Sequence, residues 1–261
     1  MNLPLITRAQ LEIINRRTLR YPLQTAEKDY FLALVMQIIS RSNLRDRLVF
    51  KGGTALHHVY LEPSRFSEDL DFSSNQAGLT LETVKNVFSG ADFLTVRKDY
   101  QSEFTIKIET LQYSGPLGHP DSLKVEIDLL QNVLLPPKTM KYRNVWELDF
   151  KVRVMDVKEI GAEKIRAMSD RARYRDFYDF FLLAETYQVD LEEISTYVRQ
   201  KEIRKPITKS SIRDNWAIVG TQKDTEMSQV FYSRKIDAAR IENLIEKLPF
   251  SEIAPPPAAH Q

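Results

Sequence analysis

Cysteine is absent from all 261 residues. This excludes a disulfide scaffold, a thiolate zinc site and a cysteine nucleophile at once, and it points to a reducing compartment such as a cytoplasm. Charge of one sign is lacking too. Lys and Arg number 37 against 36 Asp and Glu, a formal net charge of +1, so no global field draws the chain to nucleic acid or to a membrane. Any nucleic-acid site has to be a local patch. The longest apolar run, Tyr30 to Ile39, is broken by Gln37 and falls far short of the ~20 residues that span a bilayer. No signal peptide is expected either, because MNLPLITRAQ has no basic start leading into an apolar run. The 8 glycines and 12 prolines form no low-complexity linker, and only the stretch from Pro255 to Gln261 reads as a loose tail. What is present is ordinary globular composition, 43% hydrophobic and 28% charged, enough to bury a core in one large or two modest domains.

Thr7 with Gln10 reads as a capping box that opens a helix to about Arg20, which Pro22 stops. A second helix is predicted from Thr25 or Ala26 to Ser40; its centre, YFLALVMQII, is apolar on nearly every face and has to be buried. Short strands are expected at 48–50 and 70–73, short helices at 54–60 and 80–88, and paired strands at 93–98 and 104–109. Residues 113–120 read as a loop by composition. The clearest strand runs from Leu123 to Leu130: Val125, Ile127 and Leu129 face one way and Lys124, Glu126 and Asp128 the other. A strand is expected around 152–155, then helices at about 157–169, 176–188, 191–202 and 234–247. The fold class is therefore α+β: a mixed α/β half with flanking helices (1–155), a mainly helical half (156–250) and a flexible tail (251–261).

The chemistry concentrates in Phe50-Lys-Gly-Gly-Thr-Ala-Leu56 and Arg65-Phe-Ser-Glu-Asp-Leu-Asp-Phe72. On a strand, Asp69 and Asp71 share one face while Leu70 and Phe72 take the core face. Two adjacent carboxylates are costly unless a cation sits between them or one is protonated, and hard oxygen donors of this kind suit Mg²⁺ or Mn²⁺. The Gly52-Gly53 turn lets backbone amides approach a ligand, and a helix beginning at Thr54 points its positive end at the same place, which makes a phosphate cradle. Glu126 or Asp128 could supply a third carboxylate, and three carboxylates can hold two divalent ions ~3.5–4 Å apart. The competing reading of these acids is the wet face of a strand. His57 and His58 read as packed helix residues.

These segments resemble the AbiEii/AbiGii toxin family of nucleotidyltransferases, in the DNA-polymerase-β-like superfamily. The Gly-Gly turn followed by Asp-x-Asp is similar to the first motif and Lys124-Val-Glu126 to the second. Glu163-Lys164-Ile-Arg166 and Arg175-Asp-Phe-Tyr-Asp179 are similar to the later lysine and Arg-Asp-x-x-Asp motifs. The resemblance implies a nucleotidyltransferase-like fold and transfer of a nucleoside monophosphate from an NTP to an acceptor hydroxyl, releasing pyrophosphate. It implies Gly52, Gly53 and Thr54 on the β/γ phosphates, and Asp69, Asp71 and Glu126 on the metal ions with Asp128 in reserve. Lys164 would neutralise triphosphate charge. Asp176 would orient Lys164 or an acceptor group, or else cap a helix. Arg65 and Ser67 would touch phosphate or only shape the loop.

The family also implies a toxin of a toxin–antitoxin or abortive-infection system, with a cognate antitoxin and the 3′ end of tRNA as leading acceptor. A protein or small-molecule acceptor, or a catalytically inactive nucleotide-binding module, is the alternative. The local basic stretch Arg199, Lys201, Arg204, Lys205, Lys209 and Arg213, against Glu202 and Asp214 and flanked by Tyr197 and Trp216, reads as an RNA contact or as a solvated helix end. Arg166, Arg171, Arg173 and Arg175 adjoin Lys164 and are balanced by Glu163, Asp170 and Asp176.

Overall fold

A computed structural model of the chain describes residues 4–74, 78–130, 132–201, 203–229 and 231–255, with the side chains of 221–229 excepted. The expected tail at 256–261 and Glu202 lie outside the described residues. The chain divides into two units. The first holds residues 1–60, 66–133 and 137–155; the second holds 61–65, 134–136 and 156–261.

In the first unit, α1 (Arg8–Arg17) starts at the capping box read from the sequence, with Thr7 N bound to Gln10 Oε1 at 2.8 Å. α2 (Leu23–Ser40) is buried over most of its length, as its apolar centre requires. β1 (Val49–Lys51) runs directly into α3 (Gly52–Ala55), a single turn that widens into π-helical turns over Leu56–Tyr60. Then come β2 (Asp69–Ser73), α4 (Leu81–Phe88), β3 (Leu94–Gln101), β4 (Thr105–Ser114), β5 (Pro120–Asp128), β6 (Lys138–Lys141) and β7 (Lys151–Val154). They form one mixed sheet in the order β3-β4-β5-β2-β1-β7-β6. β2 pairs with β5 in parallel, and β1 pairs antiparallel with β2 and parallel with β7.

Strand alternation divides this sheet into two faces. Phe50, Phe72, Ile127 and Ile106 are successive cross-strand partners, all buried, and form the core face. On the same face Asp99 of β3 pairs with Lys85 of α4 at 2.8 Å. Two expectations shift. The loop expected at 113–120 narrows, because Tyr113 and Ser114 extend β4 and pair with Asp121 and Pro120 of β5. β6 was not anticipated, because Lys138–Lys141 is mostly exposed and shows no alternation.

The second unit contains α5 (Val157–Asp170), α6 (Tyr174–Tyr187), α7 (Leu191–Gln200), β8 (Ile207–Thr208), α8 (Lys209–Gln229), α9 (Ala238–Glu246) and β9 (Glu252–Ile253). α5 packs against α6, α7 and α8, and β8 pairs with β9, so the chain is structured beyond residue 250 as far as Ile253. Among the described residues no helix is long and apolar enough to cross a membrane.

Candidate active site

The acids of the first unit stand in cross-strand register. Asp71 pairs with Glu126, Asp69 with Lys124 and Ser73 with Asp128 across the parallel β2–β5 ladder. Register partners point to one face, so Asp69, Asp71, Glu126 and Asp128 share the side opposite Phe72 and Ile127. β1 adds Lys51, the partner of Asp71, and β4 adds Lys107, the partner of Glu126.

Gly52 sits at the end of β1 with φ +78°. A Cβ there would come within 2.6 Å of Asp71 Oδ2, so the carboxylate packs into the space that only glycine leaves. Thr54 is fully buried. Its Oγ1 lies 2.5 Å from the Asp69 carbonyl oxygen, to which it donates, and 2.9 Å from Ser67 Oγ. Thr54 and Ser67 thus fix the entry to β2. The helix expected to begin at Thr54 begins at Gly52 instead and is one turn long, so its dipole is small.

Two of these acids are paired with lysines of the same face. Lys107 Nζ is 2.9 Å from Glu126 Oε1, and Lys51 Nζ is 3.2 Å from Asp128 Oδ2. Among the described residues no three acidic or histidine side chains close on one point as a ready metal cage. The backbone aligns the oxygen donors on neighbouring strands, while the tips of Glu126 and Asp128 are turned to lysines. The donor set is nonetheless all hard oxygen, the type that Mg²⁺ and Mn²⁺ take. Glu126, whose side chain is 48% exposed, has room to change rotamer.

In the second unit, Lys164 of α5 lies 3.0 Å from Asp176 and 2.7 Å from Asp179, both on α6. Arg65 grips Asp179 through Nε and Nη2 at 2.7 and 2.6 Å, and Arg171 Nε reaches Asp176 at 2.9 Å. Burial opposes ionisation of Asp176, but Lys164 and Arg171 outweigh it and hold the carboxyl below its ordinary range. Burial likewise opposes the Arg65 charge, and Asp179 more than restores it. Asp176 does not cap a helix: α6 begins at Tyr174, and its carboxylate faces cations. Arg65, expected beside phosphate or as a shaper of its loop, is buried on Asp179.

A family model described as nucleotidyl transferase AbiEii toxin, type IV toxin–antitoxin system, matches residues 33–255. The chain belongs to the AbiEii toxin family. It is a nucleotidyltransferase of the toxin class of type IV systems, which implies an NTP substrate and a cognate antitoxin. Its fold is similar to that of the MenT4 nucleotidyltransferase toxin from Mycobacterium tuberculosis H37Rv, with TM-score 0.58, 22% identity and coverage of 82% of this chain and 72% of that one. JHP933 from Helicobacter pylori has TM-score 0.58 and 16% identity, over 86% of this chain and 91% of that one. A putative nucleotidyltransferase from H. pylori gives 0.57 and 16%, over 87% and 96%. A search of curated proteins finds no match.

In this AbiEii toxin the basic stretch 199–213 is largely spent on internal pairing. Lys201 is buried, with Nζ 2.5 Å from Glu159 and 3.2 Å from Glu163. Arg213 is paired with Glu246. Trp216 is 8% exposed, donates Nε1 to Glu242 at 3.1 Å and packs on Phe177, so its ring is not offered to a base. Glu159 also accepts the amides of Leu134 and Leu135 at 2.9 and 3.0 Å, tying 134–136 to α5. The sequence reading assigned no role to Lys51, Lys107, Asp179 or Glu159. Lys51 and Lys107 gain their place only from the strand register, and Lys201 and Glu159 meet across 42 positions without a local signal.

Proposed function

We propose that this AbiEii toxin transfers a nucleoside monophosphate to the 3′ end of tRNA, using Asp69, Asp71 and Glu126 as its acidic set. The observation that carries the reading is the Asp71–Glu126 register beside the positive-φ bend at Gly52. The acceptor oxygen bonds to the α-phosphorus, the bond to the bridging β-phosphate oxygen breaks, pyrophosphate leaves with that electron pair, and the hydroxyl proton passes to water. The bend lets main-chain amides of Gly52 and Gly53 approach the phosphates without a Cβ between. Thr54 and Ser67 keep Asp69 in place. The family resemblance gives triphosphate charge to Lys164, which Asp176 and Asp179 hold within the second unit.

Mg²⁺ or Mn²⁺ fits Asp69, Asp71 and Glu126, with Asp128 in reserve, and when bound would neutralise phosphate charge and acidify the acceptor hydroxyl. For Glu126 to serve, its carboxylate leaves Lys107, which frees that ammonium for phosphate. The tRNA assignment draws on the family resemblance and not on residues 199–213. We assign the toxin to the cytoplasm, in keeping with its lack of cysteine.

The test is incubation of the full chain with Mg²⁺, each α-labelled NTP and total tRNA. Label on the RNA 3′ end supports the reading. Label on protein or on small molecules alone overturns the acceptor assignment.

A further inference from the structure

The open face of the sheet carries one straight row across five strands. Lys51 of β1 partners Asp71 of β2, Asp71 partners Glu126 of β5, Glu126 partners Lys107 of β4, and Lys107 partners Tyr100 of β3. Its last member is an aromatic residue 51% exposed, on the strand that ends the sheet order. Tyr100 stands opposite the helix-covered side, because its neighbour Asp99 takes the α4 face through Lys85. At about 4.8 Å per strand step, Tyr100 lies about 10 Å from Glu126 and about 14 Å from Asp71 along the backbone.

We propose that Tyr100 and Lys107 form a platform for the single-stranded end of the RNA acceptor, Tyr100 stacking a base near the reacting hydroxyl and Lys107 meeting the neighbouring phosphate. This rests on the acceptor reading above and adds where that RNA lies. The direction follows from the chemistry. In-line displacement sets the incoming hydroxyl and the departing pyrophosphate on opposite sides of the α-phosphorus. Gly52 lies at the β1 end of the row, so a triphosphate seated there leaves towards β1 and the acceptor enters from β5, β4 and β3. That is the side with the lysine and the exposed ring. An aromatic on a sheet face can stack any base, so the platform needs no particular terminal sequence. The same ring could instead stack the base of the NTP, and the two sources separate in the kinetics.

The experiment uses the full chain as wild type, Tyr100→Ala and Tyr100→Phe, with Tyr187→Ala as an exposed-aromatic control. Steady-state transfer is measured against tRNA and against NTP, and binding is read with a single-stranded RNA carrying 2-aminopurine at each of its three terminal positions. The expected result is a KM for tRNA raised roughly 5- to 150-fold in Tyr100→Ala, with kcat and the KM for NTP unchanged, and near-wild-type values in Tyr100→Phe and Tyr187→Ala. Quenching of 2-aminopurine should accompany binding by wild type and Tyr100→Phe and be lost in Tyr100→Ala. An unchanged KM for tRNA with unchanged quenching, or a rise confined to the KM for NTP, overturns the platform. Should wild type quench the probe through Tyr100 yet label no RNA, the platform stands and the transfer reading falls.

Discussion

The Asp71 carboxylate fills the space that a Cβ on Gly52 would need, with Oδ2 2.6 Å from that position. The bend and the acid are therefore one device. Gly52→Ala meets two obstacles, a backbone at φ +78° and the displaced carboxylate. The expected cost is about 1–3 kcal/mol of stability, with nucleotide transfer falling by at least about tenfold as Asp71 moves. Thermal melting and transfer rates check both. Gly53→Ala, with φ outside the left-handed region, is the milder comparison.

Asp71→Asn is expected to reduce transfer by at least about 100-fold while leaving the fold intact, since the amide keeps the size of the carboxylate and opens no cavity. Glu126→Gln and Asp128→Asn then distinguish the third acid. Both lie on one face, but Glu126 is the direct partner of Asp71 whereas Asp128 pairs with Ser73 and holds Lys51. Loss of transfer in Glu126→Gln with most activity kept in Asp128→Asn is the expected pattern. The reverse assigns Asp128.

Local patterns were the legible part of the fold. Thr7 with Gln10, the all-apolar α2 and the alternation of Val125 and Ile127 each carry their instruction within a few residues. Asp69-Leu-Asp71 exposed the shared acid face because side-chain period two needs no tertiary knowledge. The pairing of β3 with β4 was legible from their two short runs and the turn between, but register and strand order were not: nothing in Lys107 or Tyr100 says which residue each will face, and both gain meaning only from the β3–β4–β5 register. α8 was missed because Lys209–Gln229 is polar over much of its length and shows only a weak apolar stripe. Lys201 read as a surface charge because Glu159, which buries it, lies far upstream.

Lys201 gives a stability prediction of its own. Its ammonium is fully buried on Glu159, whose carboxylate also accepts two amides from 134–136. Lys201→Ala leaves Glu159 buried without its cation and is expected to cost about 3–5 kcal/mol. Lys201→Met with Glu159→Gln removes both charges and should recover part of that loss. Denaturant unfolding measures the two. A loss under about 1 kcal/mol for Lys201→Ala would place the lysine in solvent.

The Asp176 cluster sets an acid limit on the second unit. Burial alone would raise this carboxyl, but Lys164 and Arg171 reverse the effect, and the folded value lies below the unfolded one. A depressed carboxyl contributes its stability above the unfolded value and loses it as pH falls through the folded value. Stability should therefore hold from neutral pH to about pH 4 and then decline by up to about 1.4 kcal/mol per pH unit from this one group. Melting of wild type and Asp176→Asn between pH 6 and pH 3 checks the assignment. The variant is expected to start less stable, because Arg171 loses its anion, and to show the shallower acid slope. Parallel slopes would mean that Asp176 titrates alike in the folded and unfolded chain, and the ion cluster would not be what sustains its charge.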